Sequence, residues 1–265
     1  MSRCLLTAAA FAFWAYAKTG QAQVEAPRTL AAAGATVAEA SVWGAAENPA
    51  ADALSRGRFA AQAYGFNHLE LAELSRLGLD LAARLGTQEI NLSLQAFTPP
   101  GYTVGAGHVG VNRRLGESLR GGIRLGAVRQ DLDEYGVATA LVAQAGLQYA
   151  VSARLRAAAH YTYVDRPLLP LAEHRLRVGV DYASSARVHL LLAVWQPVGA
   201  RLAGGVSVRY DPAERLRLRA GVRAGGTAFV LGVEGELAGG LRVGLTGVVY
   251  QSLPAAAGYG VAWSG

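Results

Sequence analysis

The chain has 265 residues and a formal net charge of +6; 52% of its residues are hydrophobic and only 17% are charged. A soluble domain carries about a quarter charged residues, so this composition indicates a surface that faces something other than water. The arginines alternate along the chain instead of forming one patch, which argues against nucleic acid as a partner, and we expect none. The single cysteine, Cys4, lies near the start, so we expect no disulfide in the rest of the chain.

The first residues have the pattern of an export signal. Arg3 is followed by an apolar run over residues 4–17. This run is shorter than the roughly 20 residues that a membrane-spanning helix needs. Small side chains at Gly20 and Ala22 predict cleavage after Ala22, so that residues 1–22 form a signal peptide. An uncleaved anchor helix is the alternative.

From about residue 58 onward, hydrophobicity alternates with a period of two, which predicts β-strands. In one clear stretch, Leu216 and Leu218 point to one face and Arg217 and Arg219 to the other. Each strand is about ten residues long, enough to cross a bilayer at a tilt. About fourteen strands are predicted, near residues 58–66, 74–84, 88–97, 103–112, 119–130, 136–150, 154–164, 174–183, 187–196, 202–210, 215–224, 227–237, 241–251 and 257–263.

The connections between these strands are of two kinds. Every second one is a short turn with Gly, Ser, Pro or Asp, as at residues 85–88 and 184–187. The intervening ones are more varied, and residues 165–173 form the longest. An up-and-down barrel has this arrangement. A solenoid would have a similar repeat, but strand length and alternation favour the barrel.

Alternation alone does not show which face of the sheet contacts water. About fourteen strands enclose a lumen too wide for one layer of apolar side chains to fill. A polar, water-admitting interior with lipid outside suits that width. We therefore predict an all-β fold, a transmembrane antiparallel up-and-down β-barrel. A soluble β-protein is the alternative.

Many arginines fall on the polar face of these strands. On the lipid face near the midplane each would cost about 2–4 kcal/mol, so we expect them in the lumen. They could attract anions or an acidic partner, or they could pair with interior acids such as Asp80, Asp181, Glu234 and Glu236. The arginines predicted to face the lumen are Arg175, Arg177, Arg209, Arg217, Arg219 and Arg223.

Aromatic residues of the strands are interpreted as belts at the membrane interfaces. These are Tyr161, Tyr163, Tyr182, Trp195, Tyr210, Tyr250 and Trp263.

The sequence contains no pattern typical of an enzyme. The five histidines are scattered without metal-ligand spacing. There is no nucleophile elbow and no phosphate-binding loop. The acidic residues Asp131, Asp133 and Glu134 could hold Ca²⁺, but a solvated loop is favoured. We predict no catalytic site, metal or cofactor.

An Ala/Gly-rich stretch up to Trp43 and the motif Asn48-Pro49-Ala50 precede the first strand. With the strands that follow, this region resembles the FadL-like outer-membrane barrels, especially the PorV/PorQ-type proteins of Bacteroidota. The resemblance implies a plug of residues 23–57 inside a barrel of residues 58–265, in the cell outer membrane. It also implies that Asn48, Pro49 and Ala50 either seat the plug or form part of a gate.

The resemblance implies two functions, and the residues favour neither one over the other. In the first, small hydrophobic solutes pass through the plugged lumen, and the partners are outer-membrane lipid and a hydrophobic ligand. In the second, the chain is a non-transporting accessory barrel of type IX secretion or of another cell-surface complex, with a secretion-system protein as partner.

Overall fold

The computed structural model describes residues 35–54, 57–68, 71–133, 136–165, 174–197, 202–224, 228–251 and 255–265. Within them, one closed antiparallel sheet is formed, in which β1 pairs with β14 to complete the ring. The strands are β1 (Phe59–His68), β2 (Leu71–Leu85), β3 (Gln88–Phe97), β4 (Tyr102–Arg114), β5 (Leu119–Leu132), β6 (Gly136–Ala150), β7 (Leu155–Val164), β8 (His174–Ala183), β9 (Val188–Pro197), β10 (Ala203–Ala213), β11 (Leu216–Ala224), β12 (Ala228–Glu236), β13 (Leu241–Tyr250) and β14 (Ala256–Ser264).

The predicted fold class, a closed barrel of fourteen antiparallel strands, is confirmed. β3, β6 and β8 have the predicted bounds, because each lies between clear turn or loop sequences. β10 continues to Ala213, past the predicted end at residue 210. A register shift between Tyr210 and Ala213 accommodates Pro212, and bulges are where strands tolerate proline.

Alternate residues of each strand differ in both polarity and burial. On β8, Leu176 and Val178 are 50% and 47% exposed, whereas Arg177 and Asp181 are 1% and 5% exposed. The apolar side chains therefore face outward and the charged side chains face the lumen. A soluble barrel has the opposite arrangement, so the sheet is that of a membrane barrel.

The two ends of the barrel differ in their connections. Short turns, such as those between β2 and β3 or between β8 and β9, lie at one end. We call this the periplasmic end, because membrane barrels place their short turns there. We call the opposite end the outer end.

A short helix, α1 (Val42–Glu47), precedes β1, and a single 3-10 turn (Ala238–Gly240) joins β12 to β13. No helix in the described ranges is long and apolar enough to span a membrane. The signal peptide predicted for residues 1–22 lies outside the described residues.

Candidate functional site

Residues 35–54, which we call the inner segment, contact inward-facing side chains on several sides of the ring. Glu39 contacts β11, Trp43 contacts β1 and Asn48 contacts β6. A segment that reaches these separate strands must lie inside the closed sheet. The first residues of the predicted plug, 23–34, lie outside the described residues.

Local hydrogen bonds fix α1 within the inner segment. The Ser41 hydroxyl accepts a hydrogen bond from the Gly44 N–H at 3.1 Å, a normal N-cap for a helix. At the other end, the backbone N–H of Asn48 donates to the Gly44 carbonyl at 2.8 Å. The helix directs Trp43 against Tyr64 of β1, with ring centroids 6.3 Å apart.

The Asn48 side chain is fully buried and uses both ends of its amide. Its Nδ2 donates to the carbonyls of Val37, at 3.0 Å, and Leu147 of β6, at 3.3 Å. Its Oδ1 accepts from the Ala50 N–H at 3.0 Å, which closes an Asx-turn around Pro49. Asn48 therefore forms hydrogen bonds both within the inner segment and to the barrel wall.

The motif Asn48-Pro49-Ala50 lies against two glycines that are paired neighbours on β5 and β6, Gly122 and Gly146. A Cβ atom on Gly122 would lie 2.8 Å from the Ala50 nitrogen. One on Gly146 would overlap the Asn48 side-chain oxygen. Only glycine permits this approach of backbone to backbone. Whether the motif seats a plug or acts as a gate stays a prediction.

Two acids of the inner segment, buried Glu39 and half-buried Glu47, pair with arginines of the barrel. Glu39 lies 2.7 Å from Arg219 Nη2 and 3.7 Å from Arg209 Nη1. Glu47 forms an ion pair with Arg177 of β8. Neither acid stands out in the sequence, because both lie outside the alternating strands.

Carbonyl groups of the inner segment accept hydrogen bonds from further barrel side chains. Arg124 of β5 donates to the carbonyls of Ala45 and Ala46, at 2.9 Å for Ala46. Gln148 of β6 donates to the carbonyl of Ala38 at 3.1 Å. The inner segment is thus held through its backbone as well as through its acids.

All six arginines predicted to face the lumen lie on the inner face of the sheet. Arg177 and Arg219 bind acids of the inner segment, whereas Arg217 binds Asp211 at 3.0 Å and Glu234 at 3.1 Å. Arg175 is buried on β8, with 6% of its surface exposed. No observation assigns them a ligand, and their functional role stays a prediction.

The predicted belt position of Trp195 is wrong. Trp195 is 3% exposed and faces the lumen, where the guanidinium carbons of Arg177 and Arg223 lie 5.1 and 5.0 Å from its ring centroid. β9 is apolar on both faces through residues 190–195, so alternation gave no signal for its direction. Tyr250, also predicted in a belt, is half-buried and packs against inward-facing residues.

A charged cluster lies at the periplasmic end, where the inner segment meets the wall. Arg120 pairs with Asp52 at 3.1 Å and with Glu89 at 2.9 Å, and Arg84 pairs with Glu89 at 3.0 Å. Burial raises the pKa of the Asp52 carboxyl, and the charge of Arg120 partly opposes this shift. A cavity of about 120 Å³ lies beside the cluster, lined in part by Arg156.

The outer half of the lumen has a different lining. On one side, inward-facing Val128, Val142 and Val164 form an apolar cluster on β5–β7. On the other side, Phe66 and Val230 belong to a second cluster on β1 and β12–β14. β6 and β13 are seven positions apart in a ring of fourteen, so the two clusters lie on opposed walls.

A larger cavity, of about 710 Å³, is formed in the wall over β4–β8. Outward-facing Ile123, Leu147 and Leu176 line it, and so do the two glycines that contact the Asn48-Pro49-Ala50 motif from within. At this point the wall separates lipid from the inner segment by one backbone layer. Among the described residues, no group of three or more His, Cys, Asp or Glu could hold a metal ion.

Solved structures with the same fold are described as hydrocarbon transporters and channels. The Ralstonia pickettii toluene transporter TbuX is 12% identical with a TM-score of 0.71, over 90% of this chain and 98% of its own. The monoaromatic hydrocarbon channel CymD is 11% identical with a TM-score of 0.68, over 91% and 97%. The P. putida toluene transporter TodX is 11% identical with a TM-score of 0.62, over 82% and 92%.

At these identities the likeness shows the fold alone. No family model matches the chain, and no curated protein is similar to it in sequence. The resemblance to FadL-like barrels is therefore confirmed for the fold. Its narrower part, a PorV/PorQ-type protein of type IX secretion, stays a prediction.

Proposed function

We propose that the chain is an outer-membrane channel for small apolar solutes. The observation that carries this proposal is the pair of opposed apolar clusters in the outer half of the lumen. Water-filled barrels line their interior with polar side chains. Apolar side chains on both walls instead provide a surface that an apolar solute binds more favourably than water does.

The likeness in fold supports this class of solute, since TbuX and TodX are described as toluene transporters and CymD as a monoaromatic hydrocarbon channel. Ligand sites of this kind are mostly apolar with a few polar groups. Here polar groups also line the lumen, among them Thr162, two positions from Val164, and the arginines that contact Trp195.

The test is uptake of radiolabelled toluene by cells that make the protein. We expect uptake above that of cells without it, and a several-fold loss in a variant with both Val142→Asn and Val230→Asn, one change on each wall. Val151→Asn, at an exposed periplasmic turn, is the matched control and leaves uptake unchanged. Uptake equal to that of empty cells would overturn the proposal. A folded barrel in each variant is checked by its band shift on heating in detergent.

A second candidate is the accessory barrel, which transports nothing and binds a secretion-system protein. The observation in its favour is the inner segment, which buried ion pairs hold on both β8 and β11. Purification from membranes in mild detergent separates the two candidates. A stoichiometric protein partner together with absent toluene uptake supports the accessory barrel.

A further inference from the structure

The wall cavity over β4–β8 faces lipid and has a regular construction. One outward row, in register across five strands, consists of Val111, Ile123, Ala145, Tyr161 and Leu176. The next row toward the periplasmic end consists of Arg113, Gly121, Leu147 and Ala159. The small residues of both rows form a depression between the larger ones.

The depression is deepened from within. Gly122 and Gly146 occupy the inward row between the two outward rows, and Pro49 packs directly against them. The wall has no side chain at these two glycines, and the inner segment supports it from behind, while Leu115 covers Gly121 at the periplasmic edge of the depression. The cavity is therefore formed before any ligand arrives, which lowers the cost of binding.

The cavity is apolar, but one edge carries a charge. Arg113 is exposed and lies one residue before the end of β4, at the periplasmic end of the barrel. Among the described residues it has no ion-pair partner. A long basic side chain at this level extends to the lipid headgroups, where an anionic phosphate is its natural partner.

We propose that this cavity is a binding site for an anionic phospholipid of the inner leaflet. One acyl chain lies in the depression over Ala145 and Ala159, beside Leu115, and the phosphate contacts Arg113. The occupant is a lipid because the cavity opens to the bilayer and its only charged edge lies at headgroup level. The site is independent of the solute route inside the lumen.

Lipid binding is measured by native mass spectrometry on purified, delipidated protein that is titrated with phosphatidylglycerol. We expect one tightly bound molecule per barrel. A variant with both Ala145→Phe and Ala159→Phe fills the depression, and we expect its affinity to fall at least tenfold. Ala220→Phe, an outward-facing alanine on β11, is the control and keeps normal affinity.

The contact between Arg113 and the lipid headgroup is tested with a separate pair of variants. Arg113→Gln lowers the affinity for phosphatidylglycerol to that for zwitterionic phosphatidylcholine, whereas Arg215→Gln, in an exposed turn before β11, does not. Equal phosphatidylglycerol binding by the filled variant and its control overturns the site. Equal binding by Arg113→Gln and Arg215→Gln overturns the role of the charge.

Different experimental outcomes would overturn the channel proposal and the lipid-site proposal. If filling the depression lowers toluene uptake but leaves phosphatidylglycerol binding intact, the cavity belongs to the solute route and the lipid site is wrong. If Val142→Asn with Val230→Asn leaves uptake intact while lipid binding follows the pattern above, the channel proposal fails and the lipid site stands. The heat-dependent band shift of each variant shows that its barrel is folded.

Discussion

At the scale of single residues, Glu39 shows how the interior is held together. It is 1% exposed, and its carboxylate faces Arg219 and Arg209. Taking charges out of water costs several kcal/mol per ion, which only close partners and hydrogen bonds offset. Arg219 therefore depends on this one acid of the inner segment, whereas Arg209 also pairs with Asp211, at 3.6 Å.

Glu39→Gln should destabilise the protein by about 3–5 kcal/mol, the usual cost of removing one partner from a buried ion pair. Denaturant unfolding in detergent measures this change, and chymotrypsin cleavage after Trp43 reports release of the inner segment. Glu236→Gln is the control, because its pair with Arg242 is about one-third exposed and is worth less than about 1 kcal/mol. Equal effects of the two changes would contradict a structural role for Glu39.

At the scale of elements, the strands can be predicted from alternation, whereas a segment inside the barrel is implied only by resemblance and its helix by no pattern at all. β8 alternates Arg and apolar residues, so its bounds and its faces follow from the sequence. The predicted bounds of β9, 187–196, differ by one residue from Val188–Pro197, but residues 190–195 are apolar on both faces and so give no signal for the direction of Trp195. α1 has only six residues, too few for a helical period to be detected.

The site could be predicted only in part, for the same physical reason. The inward direction of these arginines can be predicted from alternation, because an arginine on the lipid-facing side would be energetically costly. Their partners in the inner segment do not, because Glu39 and Arg219 are separated by 180 positions and no local pattern joins them. The Asn48-Pro49-Ala50 motif was found by resemblance, whereas its contact with Gly122 and Gly146 depends on the barrel register.

The contact between the motif and β6 yields a prediction for Gly146→Ala. The new methyl group meets Asn48 and the Ala50 backbone, so we expect a loss of about 1–3 kcal/mol, as for other overpacked sites. The control is Gly244→Ala, also on the inner face, where the nearest atom to a Cβ is the Val233 carbonyl oxygen at 3.7 Å. Unfolding midpoints of the two variants are compared. A larger loss at Gly244 would mean that the motif does not press against this wall.

At the scale of the whole molecule, polarity is distributed in the reverse of a soluble protein. Leu125 and Leu231, in the middle of β5 and β12, are 64% and 66% exposed, while Arg177 is 1% exposed. In water, exposed apolar side chains over the whole outer wall would drive association. In a bilayer the same wall is solvated by acyl chains, and the charged interior is shielded from them.

This distribution predicts how an outward-facing arginine affects stability at different depths. Leu125→Arg places a charge near the middle of the lipid-facing wall and should cost about 2–4 kcal/mol in a bilayer. Leu237→Arg, at the periplasmic end, should cost about 0–1 kcal/mol, because its side chain reaches the interface. Both leucines are exposed, at 64% and 54%, so exposure alone predicts the same effect for both. Folding into lipid vesicles from urea measures the two values. If Leu125→Arg instead leaves stability unchanged and improves solubility without detergent, the wall faces water and the membrane barrel is wrong.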